Sequence, residues 1–216
     1  MAKRRSVRNL LALGLLALLF PGTPMHPYEM ANLLRRTGKE QDMKIKWGSL
    51  YTVVQNLEKH GFIKAVSSDR EGRRPERTVY TITDAGRAEL RDWLRELVGT
   101  PEPELSRFEA ALSVLGVLPP DEATNLLAER LRALEAGIAA QRALLANSSQ
   151  VPRLFLVEAE YALAMREAEA AWVRSLWKEL TEETLPGIAE WRAYHETGGP
   201  PPEWTKLLAE GGQSTQ

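Results

Sequence analysis

Hydrophobic periodicity along this 216-residue sequence predicts a mainly α-helical protein. Three helices, a two-stranded hairpin and a fourth helix fill the first half, and helices alone fill the second. Three observations carry the prediction. Apolar spacing changes from helical to alternating at Gly61 and returns to helical after Thr83. A turn-rich stretch from Ser67 to Arg77, holding Arg70, Arg73, Arg74 and Arg77, separates the two alternating segments. Finally, Gly99-Thr100-Pro101-Glu102-Pro103 divides a basic front from an acidic back. Residues 1–98 carry 18 Lys/Arg against 11 Asp/Glu, a net of +7, and residues 99–216 carry 10 against 18, a net of −8, giving −1 overall.

Composition narrows the function classes. Hydrophobic residues make up 44% of the chain, enough for a core. With no cysteine, a disulfide framework, a thiolate metal site and a thiol nucleophile are excluded. The three histidines, His26, His60 and His195, are scattered, so no metal centre is expected. No acid/base pair, nucleophile constellation or phosphate loop is visible, so neither an enzyme nor a cofactor is expected.

The N-terminus resembles a targeting signal, with Lys3, Arg4 and Arg5 before an apolar run from Leu10 to Phe20. That run falls short of the roughly 20 apolar residues a bilayer span needs, and no small-residue cleavage site follows it. Leu11, Leu15, Leu18 and Leu19 lie at helical spacing behind the polar Arg8 and Asn9. A buried first helix is therefore expected, in a cytoplasmic protein without a membrane partner. Pro21, Gly22 and Pro24 then break the run. A second helix opens at His26-Pro27, where proline suits the first turn, carries Met30, Leu33 and Leu34 on one face, and ends at Gly38. After a polar linker, Lys39 to Lys46, the third helix runs from about Trp47 to His60, with Leu50, Val53, Val54 and Leu57 as its apolar stripe. Phe62 to Val66 and Thr78 to Thr83 read as strands. Asp84 offers an N-cap to the fourth helix, which places Leu90, Trp93, Leu94 and Leu97 on one face.

This order is that of a winged helix-turn-helix domain with a two-stranded wing, assigned to residues 1–98. In that arrangement the third helix enters the major groove of double-stranded DNA and the wing reaches the backbone or minor groove. The face opposite the apolar stripe supports this. Ser49, Thr52, Asn56 and Lys59, with Gln55 beside them, are of the types that bond bases or phosphates. A plain solvated face would look the same, and the arginine-loaded turn tips the balance, because its charges repel unless a polyanion or Asp69, Glu71 and Glu76 compensate them.

Four ordered segments carry a family resemblance. Met25-His26-Pro27-Tyr28-Glu29-Met30, Trp47-Gly48-Ser49-Leu50-Tyr51, Leu57-Glu58-Lys59-His60-Gly61-Phe62-Ile63 and the stretch from Gly72 to Gly86 are similar to the PadR family of bacterial transcriptional regulators. The resemblance covers roughly residues 7–98. Pro27 stands where that family usually has glycine, and Thr52 where it has proline, which leaves base preference open. The resemblance implies phosphate contacts from Tyr28, Ser49 and Tyr51 and from Arg73, Arg74 or Arg77; a core aromatic is the alternative for Tyr51.

Residues 105–196 read as helical and acidic. Phe108 to Val117 forms one short helix, and a long one runs from Pro119-Pro120 to about Ala146. On the long helix Leu127, Leu131, Leu134, Ile138, Gln141 and Leu145 form a coiled-coil-like seam with one polar position. Pro152 to about Thr184 forms a further helix with Leu154, Val157, Tyr161, Ala164, Ala168 and Trp172 along a face. The resemblance implies a homodimerisation domain, with Leu127, Leu131, Leu134, Ile138, Leu145, Tyr161 and Trp172 as interface residues. A seam packed only within its own chain is the alternative. Trp172, Trp177 and Trp191 suggest a pocket for a small-molecule effector, although tryptophans at helical spacing are more often core anchors. Residues 197–216 are expected to be a partly disordered tail. The leading expectation is a dimeric repressor on a palindromic operator; the alternative is a winged helix that binds protein.

Overall fold

The computed structural model describes residues 5–39, 47–66, 78–102 and 106–199. It divides into two compact units, Met1–Pro103 and Glu104–Gln216, each with its own hydrophobic core.

The first unit is built around α1 (Leu10–Leu19), capped by the Asn9 side chain, which accepts from the Leu11 N–H at 2.9 Å. Leucines all round a helix require cover on every side, and Leu11, Leu13, Leu15, Leu16 and Leu19 are all buried. None of the described helices is long and apolar enough to cross a membrane. Helix α2 (Pro27–Arg36) begins with a capping box. The His26 ring accepts from the Tyr28 N–H at 3.2 Å, while the Glu29 carboxylate accepts from the His26 N–H at 3.1 Å. A 3₁₀ turn, Trp47–Ser49, leads into α3 (Leu50–Lys59), which buries Leu50, Val53, Val54 and Leu57.

Helix α3 ends in a Schellman turn. Gly61 has φ +71, its N–H bonds the Glu58 carbonyl, and the Phe62 N–H bonds the Leu57 carbonyl. That turn launches β1 (Ile63–Val66), antiparallel to β2 (Val79–Ile82), with Ile63 opposite Ile82 and Lys64 opposite Thr81. Met25 adds a bridge to the outer side of β2 through paired bonds with Tyr80. Helix α4 (Asp84–Gly99) closes the unit.

Two expectations for α4 need correction. Its N-cap is Thr83, whose hydroxyl accepts from the Gly86 N–H at 3.0 Å and donates to the Gly61 carbonyl at 2.6 Å. Asp84 is the first helical residue. Leu90 and Trp93 are buried as expected, but Leu94 and Leu97 are over 40% exposed. The helix meets the core through Gly86, Leu90 and Trp93, so its apolar stripe is narrower than the leucines suggest.

Among the described residues, one polar side chain enters this core. The Arg5 side chain is 4% exposed and pairs with Glu89 at 2.6 Å and Glu96 at 2.5 Å, while Asp92 lies 3.5 Å away. Its guanidinium also sits 5.7 Å from the centre of the Trp93 ring. Burial opposes the charge on Arg5, but hydrogen bonds and attraction from Glu89 and Glu96 outweigh it and hold the guanidinium above its ordinary pKa.

The second unit is a helical hairpin with shorter helices around it. The expected Phe108–Val117 helix is two pieces: α5 (Arg107–Leu112), capped by Ser106, and a 3₁₀ turn at Leu115–Val117. Helix α6 (Pro120–Ala146) runs as expected, with proline in its first turn. The following helix is shorter than predicted: a 3₁₀ turn, Arg153–Phe155, precedes α7 (Val157–Thr181). Finally α8 (Ile188–Thr197), at the end of the stretch read as helical but not placed there as an element, buries Ile188 and Trp191. The Trp191 indole N–H donates to the Leu118 carbonyl at 2.9 Å.

The α6 seam is filled from within the chain. Leu127, Leu131 and Ile138 pack with Ala170, Val173 and Leu180 of α7, and Leu134 packs against them half-buried. The polar seam residue Gln141 donates to the Ala159 carbonyl at 2.7 Å and accepts from Arg166, which ties α6 to α7 in one register. Leu127, Leu131 and Ile138 are thus buried within the single chain. By contrast, the α7 face expected to be apolar is open. Tyr161 is 68% and Trp172 49% exposed.

Candidate nucleic-acid interface

The candidate site is assembled on α2, α3 and the root of the wing. Helix α3 has two sharply different faces. Its apolar stripe anchors it in the core through Leu57, which is fully buried, and through Val53 and Val54. Turned the other way, Tyr51, Thr52, Gln55, Asn56 and Lys59 are all exposed. Ser49, in the preceding turn, is half-buried. Tyr51 is 60% exposed, which removes the core-aromatic alternative. A rigid helix presenting hydroxyl, amide and ammonium groups together matches the donors and acceptors along a major-groove edge.

Helix α2 packs against α3 and displays Tyr28, 59% exposed, in its first turn. The His26–Glu29 capping box holds that turn in place. Arg35 and Arg36 occupy the last turn of α2, both exposed. On β1, Lys64 also points outward. Sequence reasoning passed over these three cations because they lie outside the recognised segments. The available signal was the basic excess of residues 1–98, which the wing arginines only partly account for.

The wing root is ordered by the ladder of β1 and β2 and by the Met25–Tyr80 bridge. Burial, with Glu58 adding a smaller contribution, pushes the Tyr80 hydroxyl above its ordinary pKa. Arg70, Arg73, Arg74 and Arg77 lie outside the described residues. Among the described residues, no cluster of three or more His, Asp or Glu is placed to hold a metal ion.

Among the described residues of the second unit the three tryptophans have separate roles. Trp191 belongs to the core, Trp177 packs half-buried against it, and Trp172 stands edge-on to Phe108 with ring centres 6.0 Å apart. A groove of about 390 Å³ between α6 and α7 is lined by Glu135, Ile138, Ala139, Arg142, Glu167, Ala170 and Arg174, with no tryptophan. Leu145 is half-buried near the end of α6.

Comparison with known proteins agrees with this geometry. Residues 15–92 match the transcriptional regulator PadR-like family. Over 91 residues the chain is 30% identical to the negative transcriptional regulator PadR of Bacillus subtilis (strain 168), a stretch that covers 42% of this chain and 50% of the relative. The chain thus spans about half the length of that curated relative. In three dimensions it is similar to Bacillus subtilis PadR in complex with operator DNA, with a TM-score of 0.64 and 21% identity over 79% of this chain and 99% of that one. The same PadR in complex with p-coumaric acid gives the same TM-score and identity over 80% of this chain and 99% of that one. The Vibrio cholerae virulence activator AphA matches with a TM-score of 0.62 and 21% identity, over 80% of this chain and 99% of that chain. At this level of identity the structural likeness shows a shared fold.

Proposed function

We propose that the chain, whose residues 15–92 match the transcriptional regulator PadR-like family, binds specific DNA sequences and thereby controls transcription, as a dimer on a palindromic operator. The observation that carries this reading is the two-faced α3, locked into the core by Leu50, Val53, Val54 and Leu57 and offering Thr52, Gln55, Asn56 and Lys59 to a partner. In this reading Asn56 and Gln55 read base edges. Tyr28, Ser49, Tyr51, Lys59 and the wing residues Arg73, Arg74 and Arg77 hold the phosphate backbone.

Repression is the favoured sign, following the negative regulator among the relatives. Activation is the second reading, because the activator AphA shares the fold. A small-molecule effector completes the proposal, and p-coumaric acid, bound by the Bacillus subtilis protein, is the first compound to try.

The test is fluorescence anisotropy with duplexes from the region upstream of the protein's own gene and with random duplex, across a salt series. Specific binding that weakens steeply with salt is expected, each phosphate contact contributing a slope of about −0.9 in log K against log salt. Arg74→Ala should weaken every duplex alike, whereas Asn56→Ala should alter the ranking among sequences. No preference over random duplex at any salt would overturn the proposal and favour a winged helix that binds protein.

A further inference from the structure

Helix α1 consists of leucine, alanine and glycine and carries no charged side chain of its own. Asn9 caps its N-terminus, but its last turn holds no cation to meet the carbonyls that a helix end leaves unpaired. Helix α4 supplies one. The Arg87 guanidinium donates to the Phe20 carbonyl, at the C-cap of α1, and lies 5.2 Å from the centre of the Phe20 ring. Arg91, one turn further along α4, lies at 5.2 Å from that ring as well. The bond to the carbonyl is made by Arg87.

Chain order carries this contact beyond α1. After Phe20 comes a short connection, Pro21-Gly22-Thr23-Pro24-Met25. Its two prolines fix φ at about −65°. Gly22 sits at φ +94, where a Cβ would lie 3.3 Å from Nη2 of Arg87. A segment so restrained passes a shift at Phe20 on to Met25 instead of absorbing it. Met25 is in turn fastened to the wing root: its N–H donates to the Tyr80 carbonyl at 3.0 Å, and its carbonyl accepts from the Tyr80 N–H at 2.9 Å. His26 follows directly as the N-cap of α2 and sets the turn that displays Tyr28.

The start of α4 also holds α3. Thr83, four residues before Arg87, donates to the Gly61 carbonyl at the end of α3. One turn of α4 therefore grips both helices of the candidate interface, α3 through Thr83 and α2 through Arg87 and the proline connection.

We propose that Arg87 is a positioning residue for DNA binding: by holding the Phe20 carbonyl it sets the place of the Met25–Tyr80 bridge at the wing root and of the α2 turn that carries Tyr28. This role rests on the DNA-binding reading of the first unit. It requires no contact between Arg87 and DNA, and it makes the wing root and α2 follow the orientation of α4.

Amide hydrogen exchange on the free protein tests the role without DNA. Arg87→Met keeps an apolar stem against Phe20 and removes the donor. In that variant the Met25 and Tyr80 amides should exchange about tenfold faster, the order expected for one lost charged hydrogen bond. Amides in the middle of α1 and α4 should keep their rates. Affinity for every duplex should fall by a similar factor, and Arg87→Lys, which restores a charged donor, should recover most of both losses. Arg91→Ala should change neither. Unchanged exchange at Met25 and Tyr80 in Arg87→Met overturns the proposal, and a fall in duplex affinity without it means that Arg87 touches phosphate directly. Acceleration of all amides together overturns it too, since that is general stability, as does an equal effect from Arg91→Ala. If the wild-type chain shows no preference among duplexes, the DNA-binding reading fails, and the exchange rates still decide whether Arg87 holds the wing root.

Discussion

Gly86 shows how one residue constrains the whole first unit. Thr83 ties the start of α4 to the Gly61–Phe62 turn, which pulls the first turn of the helix down onto that backbone. A Cβ at position 86 would collide with the Phe62 carbonyl and lie 2.9 Å from Cγ1 of Ile82. Backbone cannot rotate away as a side chain can, so Gly86→Ala should lower stability in urea by about 2–4 kcal/mol. Gly137 provides the contrast. A Cβ there would meet only the Arg166 side chain, at 3.5 Å, so Gly137→Ala should stabilise by about 0.5–1 kcal/mol, the usual helix gain over glycine. The same urea titration of both variants checks the pair. Arg5 belongs to this scale as well: nothing in its local sequence distinguishes it from Lys3 or Arg4, and only the fold brings three acids of α4 around it.

Among the elements, those with strong local punctuation were the legible ones. Proline after His26, glycine at 61 and the alternation from Thr78 to Thr83 placed α2, the end of α3 and both strands within a residue or two. The exposed face of α3 followed from periodicity alone, since the buried half of the helix consists of the four residues its spacing named. Helix α8 was read as part of a helical stretch but not placed as an element, because Gly187 and the glycines after Thr197 obscure its ten residues. On α6 and α7, periodicity found apolar stripes but could not say which one the other helix covers. That choice depends on tertiary pairing, and here it went to Leu127, Leu131 and Ile138. Substitution separates the two stripes. Leu131→Ala should cost about 2–5 kcal/mol of folding stability, whereas Tyr161→Ala should leave chemical denaturation of the single chain within about 0.5 kcal/mol. Equal losses would show that the assignment of core and open faces is wrong.

At the scale of the molecule, opposite charge and separate cores describe two units with different tasks. Residues 1–98 carry a net charge of +7, which favours a polyanion, while residues 99–216 carry −8. The units also differ in how far apart in sequence their contacts lie. Gln141 meets Ala159 across a separation of 18 residues, whereas Arg5 meets Glu89 and Glu96 across 84 and 91. Long-range closure slows folding and local closure speeds it. The α6–α7 hairpin should therefore assemble early. The first unit has to wait, since Arg5 finds its acids only when the last turns of α4 are in place. On a ribosome the first unit can close only once the whole of α4 has emerged, which makes it an all-or-none product of the first half of synthesis. In a stopped-flow refolding experiment on a variant that keeps only Trp93, fluorescence should lag behind the recovery of helical dichroism. Coincident traces would show that the two units assemble in concert.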